Sequence, residues 1–228
     1  MITSLSSRLK RHKNRHASLF GVLLAALVLF GANLTPSTPA RAASETGAET
    51  EAVSTLQDGL LAILNNPAPD GATARSAALG KLIGDTFDIN AMGQVAVGVR
   101  TYRSWSPAQR EKFLNAFARF MVATHASRFD GAANQGFAIE GSEDAQSGRK
   151  IVHARYLRAQ RPTVAIDYLV QPTNDGWRIL DVYLDQTISL LALHRSEFSS
   201  VLRDRGFDGF IAALHAKADE IAARPVAN

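Results

Sequence analysis

The sequence predicts an α+β fold: helices first, then about four antiparallel strands, then helices again. Three observations lead there. Residues 163–184 alternate with period two on both sides of a polar turn, the pattern of a hairpin with two distinct faces. The stretches on either side, Val53 to Arg128 and Leu190 onward, repeat their apolar residues at three- and four-residue spacing. No linker divides the chain after its first 42 residues, so residues 43–228 are read as one domain.

The first 42 residues have a different plan. Met1–Arg15 is polar and positive, and Ala17–Ala32 is apolar apart from Ser18. Ala40 and Ala42 then supply the small residues of an export-signal cleavage site. The expectation is a signal peptide, 1–42, cleaved after Ala42. A retained anchor is the alternative, but a spanning helix wants roughly 20 apolar residues and this run is shorter.

Ser44–Glu51 is polar and expected to fray. Val53, Leu56, Leu60, Ile63 and Leu64 form the stripe of a first helix, which the Pro67 and Pro69 region ends. An Ala-rich helix to about Ile83 follows. Asp88 is placed to cap a third, with Ile89, Met92, Ala96 and Val99 along one side. Ser106-Pro107-Ala108-Gln109 is a capping box with Pro at the first helical position. It opens a long helix to Arg128, with Phe113, Phe117, Phe120, Met121 and Thr124 on one face. Asp130-Gly131 stops it.

Phe137–Glu140 reads as a short strand, Gly141–Gly148 as a polar turn and Lys150–Arg158 as a second strand. In the hairpin, Val164, Ile166, Tyr168 and Val170 share one face. Pro172–Gly176 turns the chain, and Trp177, Ile179, Asp181 and Tyr183 alternate with Arg178, Leu180, Val182 and Leu184. The helix that follows is expected to carry Leu190, Leu193, Glu197 and Val201 on one side. Arg205-Gly206 is a stop, Asp208 a cap, and Phe210, Ile211, Leu214, Ala218 and Ile221 the stripe of a last helix.

Charge and composition exclude several functions. The net charge of +4 comes from six basic residues in the leader, which has no acidic one. Removing those six from 25 leaves 19 basic residues against 21 acidic, about −2, so no basic stripe for nucleic acid remains. Cysteine is absent, which rules out disulfides and thiolate chemistry. His125, His153, His194 and His215 stand in no metal-ligand spacing, and no nucleophile elbow, phosphate loop or dinucleotide fingerprint occurs. No metal and no cofactor are expected.

Tyr168, Asp181, Tyr183 and Asp185 lie on or near the paired strands. On a cone-shaped sheet they could transfer protons to a carbonyl substrate. Nothing supplies a base oriented by a third group, so a bland, solvent-facing role is the better reading. Nine of the eleven Phe lie beyond the leader, and they could fill a core or line a cavity.

Phe87-Asp88, Met92, Ala96-Val97-Gly98, Ser106-Pro107, Gln109-Arg110, Phe113 and Ala116-Phe117 form a spaced pattern. Asp167-Tyr168, Gly176-Trp177-Arg178-Ile179, Asp181-Val182, Ser189, Arg195–Phe198, Gly206 and Asp208-Gly209 continue it. Together they resemble the MlaC, or toluene-tolerance auxiliary, family of periplasmic phospholipid-binding proteins, over roughly Leu56 to Ile221. Thr124–Gly131 and Leu184–Ser189 look closer to the hopanoid-associated HpnM branch, as do His125 and the link Gln186-Thr187-Ile188.

The resemblance implies a four-stranded antiparallel sheet wrapped by helices around an apolar pocket. It also implies a non-catalytic periplasmic carrier for a lipid, phospholipid or hopanoid, that meets membrane-bound lipid-transport proteins transiently and acts as a monomer. The residues expected to touch lipid are Val95, Phe117, Met121, Ile166, Tyr168, Ile179 and Tyr183, chosen from periodicity and chain order; ordinary core is the alternative for each. Arg195 and Glu197 are read as a structural pair. An enzyme using Tyr and Asp, or a periplasmic interaction module with a filled core, are the competing readings.

Overall fold

The protein is described here as a computed structural model covering residues 47–65, 71–128, 135–158 and 162–223. The leader, the breaker around Pro67 and Pro69, Phe129, the expected stop at Asp130-Gly131 and the chain end lie outside the described residues, which fall in one compact unit. Helices α1 (Ala48–Asn65), α2 (Gly71–Thr86), α3 (Ile89–Val97), α4 (Val99–Ser104) and α5 (Pro107–Arg128) precede the sheet. Strands β1 (Gln135–Asp144), β2 (Lys150–Arg158), β3 (Val164–Thr173), β4 (Gly176–Leu184) and β5 (Ile188–Ser189) form it, and α6 (Leu190–Ala222) closes the chain. The α+β class holds, with a fifth strand of two residues added to the four expected.

The sheet is an antiparallel meander in the order β1-β2-β3-β4-β5. β1 runs past the expected turn because Ser142 and Glu143 still pair with Val152 and Ile151. The chain absorbs one extra residue at a bulge between Ile139 and Gly141, where Gly141 has φ 150°. A second irregularity governs the hairpin. Leu169 lies opposite Asp181 but Val170 lies opposite Ile179, so Leu180 has no partner on β3. Alternation therefore slips by one residue within β4. Below the bulge Ile179 shares a face with Val170; above it, Val182 and Leu184 take that face, opposite Tyr168 and Ile166.

Caps set the helix positions. Asp88 Oδ1 accepts the Ala91 N–H at 2.8 Å, while its Oδ2 accepts from Gln171 Nε2 at 2.8 Å, tying α3 to β3. Phe87 bridges Ile179, and the Asp88 N–H donates to Ile179 O at 2.9 Å, so the α2–α3 junction is laced to β4. The capping box at Ser106 and Gln109 is reciprocal, at 2.9 and 3.2 Å. Gly98 has φ 86° and ends α3 at Val97, so Val99 opens α4 and does not extend the third helix as expected. α2 runs on to Thr86, whose hydroxyl back-bonds to Leu82 O at 2.7 Å.

At the start of α1, Glu49 accepts from Ser142 Oγ at 2.7 Å and Lys150 Nζ at 3.2 Å. These donors hold its carboxyl below the usual range, the Ser142 hydroxyl foremost.

Two expectations for α6 change. Its buried face carries Leu191, His194 and Phe198; Leu193 is 48% exposed and Glu197 is exposed. The helix starts in the register set by its cap, Ser189, whose Oγ accepts the Ala192 N–H at 2.9 Å, and that register turns Leu193 outward. Glu197 lies 3.5 Å from His194 Nδ1 rather than against Arg195. At Gly206 the backbone (φ 65°, ψ −174°) occupies a region open almost only to glycine, and the helix changes direction there. Asp208 sits past the bend, where its carboxylate takes Lys112 Nζ at 2.8 Å.

The core runs between the sheet and the helices. Phe113 stacks on Phe117 (5.6 Å) and Phe210 (5.9 Å), Trp105 meets Phe113 edge-on (5.2 Å), and Phe198 meets Phe210 (5.3 Å). These rings fill the α5–α6 side completely: Phe113 and Phe117 have no exposed surface. No described helix is long and apolar enough to cross a membrane.

Candidate functional site

On the other side of the same core the packing stops short. A cavity of about 200 Å³, open at its mouth, lies between the inner face of the sheet and α1, α3, α5 and α6.

Its walls follow from the register. Leu56 and Leu60 come from the α1 stripe, Met92 from α3 and Met121 from α5. The sheet contributes Tyr156, Val164, Ile166 and Tyr168, and the β4 bulge swings Val182 and Leu184 to the same side. Leu190 and Leu191 close the wall at the start of α6.

Several polar groups in this wall are bonded to the protein itself, mostly to its backbone. Thr124 Oγ1 donates to Phe120 O at 2.8 Å, and His125 Nδ1 donates to Met121 O at 2.9 Å. His125 also packs edge-on against Phe87 at 5.2 Å, and His194 stacks on Phe198. Asp181 is 6% exposed; its Oδ1 accepts the N–H groups of Val182 (2.8 Å) and Leu191 (3.1 Å), and its Oδ2 accepts the Ser189 hydroxyl (2.6 Å). Burial pushes its carboxyl up, and those three bonds oppose the shift. Burial pushes the Tyr168 phenol up to about 12, against a hydrogen bond with Gln57.

Of the residues expected at the site, Met121, Ile166 and Tyr168 line the cavity. Phe117 and Ile179 are fully buried in the packed core beside it, and Val95 packs half-buried against that core. Tyr183 lies opposite Asp167 and Ser189, on the other sheet face from Ile166 and Tyr168. Burial, followed by the Asp181 charge, raises its phenol.

The expectation missed Leu56, Leu60 and Met92, whose helical stripes were legible, and Val182 and Leu184, which only the bulge brings inward. It also missed the start of α6. Tyr168, Asp181, Tyr183 and Asp185 do not assemble into a proton-transfer site: Asp181 has both oxygens occupied, Tyr183 faces away, and Asp185 is exposed in a turn. Among the described residues no three His, Cys, Asp or Glu side chains are grouped to hold a metal ion.

A meander sheet wrapped by helices around a mainly apolar cavity is an arrangement suited to binding an apolar ligand. The MlaC protein family model matches residues 54–216, and the chain belongs to that family. Among solved structures it is similar to the phospholipid-binding protein from Ralstonia solanacearum, determined in complex with a phospholipid. The likeness has a TM-score of 0.66 at 22% identity and covers 76% of this chain and 98% of that one, so the two share the fold. No curated protein matches the chain.

Proposed function

We propose that this chain is a periplasmic lipid carrier that shields the apolar part of a lipid, phospholipid acyl chains or a hopanoid, in the cavity between sheet and helices. The observation that carries this reading is the chemistry of the wall: mainly apolar side chains, with Thr124, His125 and Asp181 bonded to protein partners. A preformed apolar cavity suits a cargo whose transfer through water is unfavourable. At ~0.8 kcal/mol per buried methylene, a long acyl chain needs on the order of 10 kcal/mol of shielding. The phospholipid bound by the Ralstonia relative and membership of the family support the lipid.

The leader, 1–42, directs export and is removed after Ala42, leaving 43–228 as a single monomeric domain. Met121, Ile166 and Tyr168 touch the cargo, which passes to and from membrane-bound lipid-transport proteins during transient contact. The lipid is returned unchanged.

Native mass spectrometry of residues 43–228 purified without detergent tests the reading. The expected result is a stoichiometric adduct that extracts as an intact lipid, and extraction identifies it as phospholipid or hopanoid. A bare protein that also acquires no lipid from vesicles would overturn the carrier.

A further inference from the structure

Exposure along the cavity wall locates its mouth. Arg158, Val164, Leu184 and Leu190 are half-buried, while the remaining lining residues are buried. Beyond the mouth the apolar wall continues outward in two short steps. Ile188 pairs with Leu184 and so shares its sheet face, and it is 51% exposed. Leu193 lies one helical turn from Leu190 and is 48% exposed. The other exposed large apolar side chains among the described residues stand elsewhere. Leu157 pairs with Gly136 at the opposite face from Tyr156, and Val99 opens α4.

A tight turn holds Ile188 in place. The Thr187 N–H donates to Leu184 O at 3.2 Å, and the two residues between, Asp185 (φ 47°) and Gln186 (φ 61°), are both left-handed without being glycine. That conformation is unfavourable for residues with a Cβ, and it is the one that returns the chain directly beside Leu184.

We propose that Leu184, Ile188, Leu190 and Leu193 form a bilayer-contact rim, by which the cavity mouth seats on a lipid surface. Lipid then moves between bilayer and cavity along a continuous apolar path. This rests on the carrier reading for the cargo, and concerns the surface through which it passes. Two half-exposed side chains fall far short of the ~800 Å² per partner of a stable protein interface; on a bilayer, where binding scales with the apolar area inserted, they give the weak and reversible contact that a carrier must be able to break. Beside the rim stand Asp185 and Arg158, the latter donating to Pro162 O, so the two charges offset and no basic cluster calls for anionic lipid.

Residues 43–228 with Ile188→Trp or Leu193→Trp, mixed with phosphatidylcholine vesicles, provide the test. Over the Trp105 and Trp177 background, each new Trp should shift blue and be quenched at least two-fold by brominated acyl chains, equally at low and high salt. Val99→Trp should not respond. The double variant Ile188→Ser/Leu193→Ser should take up vesicle lipid at least ten-fold more slowly while reaching the same final load in native mass spectra.

Quenching reports the rim alone and the mass spectrum the cavity alone, so the two readings fail separately. Absence of quenching at 188 and 193, equal quenching at 99, or a response only to anionic vesicles would overturn the rim; so would uptake in the double variant at the wild-type rate.

Discussion

Asp181 and Leu191 stand ten residues apart in sequence, and the carboxylate of the first accepts the backbone N–H of the second at 3.1 Å. The same carboxylate takes the Ser189 hydroxyl, and Ser189 caps α6. One buried acid thus fixes where the last helix leaves the sheet, and with it the Leu190–His194 wall of the cavity. A carboxylate beside a helix N-terminus is also favourably placed for the helix dipole.

Replacing Asp181 by Ala leaves those donors without an acceptor, and denaturant unfolding should show a loss of roughly 2–4 kcal/mol. Asp181→Asn keeps the Oδ1 acceptor and should cost less. The pH dependence has a definite sign. Burial raises the folded value above the ordinary 3.8, so the folded protein takes up the proton first as pH falls. The strain of the buried charge is therefore relieved between the folded value and 3.8. The stability difference between wild type and Asp181→Asn should move in favour of wild type as pH drops from neutral toward 4.

Filling the cavity separates its lining from its surroundings. Met121→Trp and Ile166→Trp place an indole in the empty space and should lower the lipid-bound fraction in native mass spectra at least ten-fold. Tyr183→Ala, on the opposite sheet face, should leave that fraction unchanged. Equal loss in all three would place the cargo somewhere else.

The capping box at the start of α5 is exposed and remote from the cavity. Ser106→Ala should cost about 1 kcal/mol, a fall in Tm of about 2–4 °C for a domain of this size. Lipid content should not change.

Gly206 tests the bend in α6. With φ 65° and ψ −174°, an added Cβ meets no neighbour within 4 Å, so any cost of Gly206→Ala is backbone strain alone. It should destabilise by about 1–3 kcal/mol, read as a Tm shift. An unchanged Tm would mean that the backbone there relaxes freely.

Much of this fold was legible because it rests on local chemistry. The caps at Asp88 and Ser106 and the break at Gly206 are side-chain and backbone effects confined to a few residues, and the sequence carries them directly. The α1 stripe and the phenylalanines of α5 are periodic, and periodicity survives folding. The site was less legible. One unpartnered residue, Leu180, shifts the face of Val182, Tyr183 and Leu184, and no residue type announces a bulge of this kind. The face of α6 depends on its cap register, which moved the buried side from Leu193 to Leu191 and His194. Whether an apolar residue fills a core or borders a void is decided by volumes from six or more elements at once. Phe117 and Met121, one turn apart on α5, fall on different sides of that line.

The cavity wall draws on residues from Leu56 in the first helix to His194 at the start of the last. The strands between them are sequential neighbours, so the meander can zip up as it emerges, each strand onto the last. The hollow itself has no such partial form. A chain still short of residue 194 lacks one wall, and one whose first helix has not docked lacks another. The cavity is therefore complete only in a chain that has finished folding, and an incomplete copy has no enclosed hollow to offer a ligand on the way.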